Sequence, residues 1–132
     1  MAGQPKALVA CCECENRQVL ARLVGQCGLK PVIATSTSDA VSLLGSVAVL
    51  VAFCQDDLPG DGGTAVLKAA KRVAVPVVVS SRLADPERYL ESMELGAFDF
   101  ICVPYSNTEV TALALAMLHR PPSNPEGQGR RI

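Results

Sequence analysis

Short apolar runs alternate along this chain with longer stretches of helical spacing. Residues 6–12 (KALVACC) form a first apolar run of strand length. Residues 15–26 follow, with Val19, Leu20, Leu23 and Val24 on one helical face and Gly28 as the stop. Residues 30–35 (KPVIAT) read as a second strand, whose Pro31 suits an early or edge position. Ser36 and Ser38 offer hydroxyl caps to a helix near residues 39–45. Residues 48–54 form a third strand that runs into the turn PGDGG, and residues 64–73 form a third helix. Residues 76–80 (PVVVS) are a fully apolar fourth strand. Asp85-Pro86 then supplies a capping carboxylate and a first-turn proline, and this helix runs to about Leu95 before Gly96 ends it. Residues 98–102 (FDFIC) are a fifth strand, and the capping box from Ser106 to Glu109 opens a last helix to about His119.

Five strand–helix units with short connections predict an α/β domain over residues 1–119, with a doubly wound parallel sheet covered on both faces. In such sheets the ligand crevice lies beyond the carboxyl ends of the strands. The tips that meet there are residues 11–13, 55–57, 80–81 and 103–104. Residues 120–132 lack apolar periodicity and are expected to be a disordered tail.

Composition narrows the function classes. With 132 residues the chain has the size of one domain, and 12 Lys and Arg against 13 Asp and Glu leave no basic footprint for nucleic acid. Aromatics are too sparse, at 4%, for a base-stacking platform. No apolar run reaches the length of a membrane span, and the N-terminus lacks the charged-then-apolar form of a signal peptide. A cytoplasmic protein with neither nucleic-acid nor membrane partners is expected. Met1 suggests a native start, and only the short tail follows His119, so output comes from docking on another protein unless the chain is a fragment of a longer one. Six cysteines (Cys11, Cys12, Cys14, Cys27, Cys54 and Cys102) without a secretory signal read as small hydrophobes rather than a disulfide framework.

The segments LVACCECENRQVL, CQDDLPGDGG, PVVVSSRLADPE and LGAFDFICVPYSNTEV make the chain resemble the receiver domains of bacterial two-component response regulators, over about residues 6–119. The resemblance implies a flavodoxin-like sandwich with strand order 2-1-3-4-5 and phosphotransfer from a histidine kinase to an aspartate. Carried over position by position, it puts Gln55, four residues before Pro59, where the acceptor aspartate belongs. Cys11 and Cys12 stand at the two Mg²⁺-binding acidic positions, with Glu13 beside them. Val103 replaces the lysine before Pro104, Ser81 keeps the hydroxyl position, and Phe100 takes the switch-aromatic position. An amide is a poor nucleophile, thiols match a hard cation badly, and no lysine neutralises the transferred group. The resemblance therefore implies a degenerate, atypical receiver that acts by protein contact and is neither an enzyme nor phosphorylated at the usual site.

Two other functions stay open. Asp56 with Glu13 and Mg²⁺ gives an active phospho-receiver, set against a reading of Asp56 and Asp57 as solvated turn residues. The cysteines at the strand tips give a redox or metal module, although C-C-x-C is not the spacing of a zinc or thioredoxin-like site, and strand alternation turns Cys54 and Cys102 away from a pocket that Gln55 and Val103 face. Neither cofactor nor metal is expected under the first reading. His119 at the end of the last helix reads as a surface residue favoured by the helix dipole. The resemblance also implies a contact face on the fourth helix, fifth strand and fifth helix, presenting Arg88, Tyr89 and Tyr105 to a histidine kinase, another regulator or a second copy of the chain.

Overall fold

The computed structural model describes residues 3–61, 63–83 and 85–119. Strands β1 (Lys6–Ala10), β2 (Lys30–Ala34), β3 (Val51–Gln55), β4 (Val77–Ser81) and β5 (Asp99–Cys102) alternate with helices α1 (Cys14–Gln26), α2 (Thr37–Ser46), α3 (Thr64–Arg72), α4 (Pro86–Glu94) and α5 (Asn107–Leu118). All strand pairs are parallel, in the order β2-β1-β3-β4-β5. The expected doubly wound sheet is therefore the fold. Pro31 lies on an edge strand, where a missing N–H costs the sheet least. The expected tail falls outside the described residues.

Alternation along the strands divides the core in two. Leu8, Ala10, Ala52, Cys54, Val77 and Val79 pack under α2 and α3 with Ala40, Leu44, Val66 and Leu67. Ala7, Val9, Cys11, Val51, Phe53 and Val78 pack on the opposite face with Leu20, Leu23 and Val24 of α1 and Val110, Ala114 and Met117 of α5. Every residue of β3 and β4 is buried, which is why both read as near-continuous apolar runs.

Local chemistry sets the helix starts. The Ser36 hydroxyl accepts from the Asp39 N–H (3.2 Å), so α2 begins at Thr37, earlier than the apolar spacing suggested. The carboxylates of Asp61 and Asp85 serve α3 and α4 in the same way, accepting from Ala65 N–H (2.9 Å) and Glu87 N–H (3.0 Å). The Ser106 hydroxyl accepts from Glu109 N–H (3.3 Å) at the start of α5.

Strand β3 departs from expectation in a way that matters for the site. It starts at Val51 opposite Ala7 and ends at Gln55 opposite Ser80. Residues 48–50 are apolar but lie before the sheet, and only the Leu50 N–H reaches β1, at Lys6 O (2.8 Å). Gln55 is thereby a strand residue, not part of the turn. Strand β1 ends at Ala10, with the Cys11 N–H still bonded to Ala34 O (3.0 Å). Among the described residues, no helix is long and apolar enough to cross a membrane.

The loop after β3 is seated on the start of α2. The Thr37 N–H donates to Pro59 O (2.8 Å). Gly60 has φ +125°, and a Cβ there would lie 2.6 Å from Thr37 Cβ and Oγ1. Only glycine meets both conditions. Gly60→Ala is expected to cost about 1–3 kcal/mol of stability, through backbone strain and the clash with Thr37. Phe53→Ala, at the fully buried centre of β3, is expected to cost about 3–5 kcal/mol. Denaturant unfolding monitored by circular dichroism checks both; a loss near zero at Gly60 would contradict the seating of the loop.

Candidate functional site

The carboxyl ends of β1, β3 and β4 bring Cys11, Gln55 and Ser80 to one side of the sheet, the side of α1 and α5. This follows from alternation: Cys11 continues the face of Ala7 and Val9, Gln55 that of Val51 and Phe53, and Ser80 that of Val78. All three are buried. The Cys11 thiol donates to Gln55 Oε1 (2.7 Å). Burial pushes the Cys11 thiol up from its usual 9.0 to about 11, so at neutral pH it is a neutral donor. Gln55 Nε2 is buried with no partner among the described residues.

Beside this pair, the Ser80 hydroxyl is 2.9 Å from the Tyr105 hydroxyl. Burial pushes the Tyr105 phenol well above its ordinary range, although the bond to Ser80 opposes the shift. Tyr105 is half-buried and packs against the α1/α5 core. It was expected on the contact surface; instead its hydroxyl is drawn to Ser80, the one polar side chain at that end of β4 on this face. Ser81 points to the other face, and its hydroxyl accepts from Leu83 N–H (3.1 Å). Val103, half-buried, bonds through its N–H to Ser81 O (2.9 Å) and brings no charge to the site.

The acidic residues at the tips are occupied. The Arg82 guanidinium donates to Glu13 Oε1, which also accepts from Asn16 Nδ2 (2.8 Å). Arg88 of α4 donates to Asp56 Oδ2. Asp56 is not the solvated turn residue it resembled in sequence, since its side chain is only 11% exposed and lies against Arg88. Asp57 is exposed. Glu13 and Asp56, paired in the phospho-receiver alternative, thus face different arginines. Among the described residues, no group of three or more His, Cys, Asp and Glu side chains is placed to hold a metal ion. The donor set also suits a hard cation poorly: Cys11 is a thiol committed to an amide, Glu13 and Asp56 have cationic partners, and Asp57 is exposed.

The remaining cysteines do not join the pair. Cys54 lies on the α2/α3 face, with its thiol pushed up from 9.0 to about 12 by burial, and Cys14 and Cys102 are exposed. Cys12 is half-buried, and its carbonyl accepts from Arg17 Nη1 (3.2 Å). Phe100 is half-buried, and its ring meets Tyr89 edge-on with centroids 5.8 Å apart. Of the expected contact trio, Tyr89 is 44% exposed and Arg88 45% exposed while paired with Asp56, and Tyr105 is half-buried. Sequence reasoning missed Arg82 and did not see that Arg88 pairs with Asp56 or that Tyr105 meets Ser80. Arg82 had a signal, as it directly follows the fourth strand; Arg88 meets Asp56 through tertiary placement that local pattern does not encode.

No family model matches the chain. A curated relative, the phosphate regulon transcriptional regulatory protein PhoB of Klebsiella pneumoniae, is 30% identical over 112 residues, covering 82% of this chain and 49% of PhoB. The chain thus spans about half the length of the curated relatives it matches. Among solved structures, the receiver domain of NtrX from Brucella abortus superposes with TM-score 0.78 at 25% identity, covering 88% of this chain and all of that domain (100%). A two-component response regulator from Clostridium difficile shares the fold with TM-score 0.81 at 23% identity, covering 89% of this chain and 98% of that one. Strand order and these similarities converge: the chain belongs to the receiver domains of the response-regulator family of two-component signalling.

Proposed function

We propose that this receiver domain signals without phosphorylation at the family's usual position and acts through contact with other proteins. The observation that carries this reading is the buried hydrogen bond from the Cys11 thiol to Gln55 Oε1 (2.7 Å). It is a neutral pair where phosphotransfer needs a carboxylate nucleophile and a cation. An amide oxygen does not form a comparable acyl phosphate, and the thiol does not replace a carboxylate as a ligand for Mg²⁺. With Val103 before Pro104, no lysine stands there to neutralise charge on a transferring group. The domain itself is not an enzyme in this reading and uses no cofactor.

Its proposed partners are cytoplasmic signalling proteins, a histidine kinase or another regulator, met on the face of α4, β5 and α5. Tyr89 and Leu90, 44% and 58% exposed, offer the apolar contact area there. A second copy of the chain is one possible occupant of the same face.

Incubation with acetyl phosphate and Mg²⁺, followed by intact-mass measurement, is expected to leave the chain unmodified. A stoichiometric, base-labile phosphoryl adduct on Asp56 would overturn the proposal and favour the active phospho-receiver. The thiol pair makes a second prediction. A folded-state pKa raised from 9.0 to about 11 stabilises the fold fully below pH 9, and that contribution is lost as pH rises toward 11. Unfolding free energy should therefore fall across this window, with Cys11 contributing on the order of 2 kcal/mol. Cys11→Ser keeps a donor for Gln55 but does not titrate there, so its alkaline loss should be smaller. Equal slopes in variant and wild type would argue against a buried neutral thiol.

A further inference from the structure

Helix α4 is anchored unlike its neighbours. Its nine residues include no buried side chain. The contacts that tie it down are the Tyr89–Phe100 ring contact, the partly buried Met93, and the ion pair from Arg88 to Asp56 at the tip of β3. The last of these is asymmetric. Arg88 is 45% exposed, whereas Asp56 is 11% exposed. The arginine can leave for water at small cost, but the carboxylate it leaves behind is largely desolvated and loses its cation. The pair therefore favours a docked helix without fixing it irreversibly. Beneath it, between α3 and α4, lies a cleft of about 240 Å³ lined by Cys54, Asp61, Leu67, Val79, Arg88 and Leu95. Its floor is the α2/α3 core itself, reached at Cys54, Leu67 and Val79. An element with few buried contacts, set over an incompletely filled cleft, opens at lower free energy than the rest of a domain.

We propose that α4 is a releasable helix, latched to the sheet by the Arg88–Asp56 ion pair, and that its release opens the α3–α4 cleft down to Cys54. A protein that offers Asp56 a competing cation, or Arg88 a competing carboxylate, would then shift α4 without covalent chemistry. The latch links the β3 tip directly to the surface carrying Tyr89 and Leu90.

Hydrogen exchange by mass spectrometry and iodoacetamide labelling of Cys54 test this on the full chain. In Arg88→Gln and in Asp56→Asn, the amides of residues 86–94 are expected to exchange about tenfold faster, with α1 and α5 unchanged. Cys54 should label faster by a similar factor at the same pH. The double variant should go little further than the faster single, since both remove one interaction. Arg88→Lys should restore part of the protection. In the unmodified protein, raising salt from about 0.05 to about 1 M should accelerate α4 exchange, and should not do so in Arg88→Gln. Unchanged α4 exchange in both single variants would overturn the latch. So would an equal acceleration in every helix, which would mark global destabilisation. Unchanged Cys54 labelling would overturn the opening of the cleft.

Discussion

Strand β3 is covered on both faces along its whole length, so any polar atom it carries to the carboxyl edge must find its partner inside the protein. That constraint organises the site. Gln55 is the last residue of the strand, and it meets the demand with one bond, from Cys11, leaving Nε2 without a partner among the described residues. A carboxylate in the same place would need a cation within reach. The two guanidiniums nearby are committed elsewhere, to Glu13 and Asp56. The neutral pair is thus self-consistent: amide and thiol satisfy one another, and a charge introduced at either position alone would be buried uncompensated.

The fold was legible because burial leaves a plain mark. Strands covered on both faces appear as apolar runs such as PVVVS, and helix starts carry their caps at Asp85 and Ser106. The place of Gln55 at the end of the third strand was legible too, because Pro59 fixes the count back to it. Boundaries were harder. The apolar stretch at residues 48–50 looks like strand, yet hydrogen-bond register with β1, not hydrophobicity, decides where β3 begins.

Side-chain partnerships were the least legible layer. Asp56 in sequence is one of two acidic residues before a turn, and Asp57 alone has the exposed character that the pattern suggests. The difference arises because α4 places Arg88 over one carboxylate and not the other. Tyr105 likewise reads as an exposed aromatic after a strand, but the chain beyond Pro104 turns its hydroxyl to Ser80. Strand periodicity does not extend into such loops, so it gives no direction for these side chains.

The arginine clamps also bear on how fast anything can find this surface. Glu13 and Asp56 are each matched by a guanidinium, which leaves Asp57 as the exposed carboxylate at the tip. Opposite charges held in contact cancel at a distance, so these two pairs themselves add little steering to a charged visitor. Discrimination between partners would rest on residence time, set by how well Leu83, Tyr89 and Leu90 are covered once contact is made.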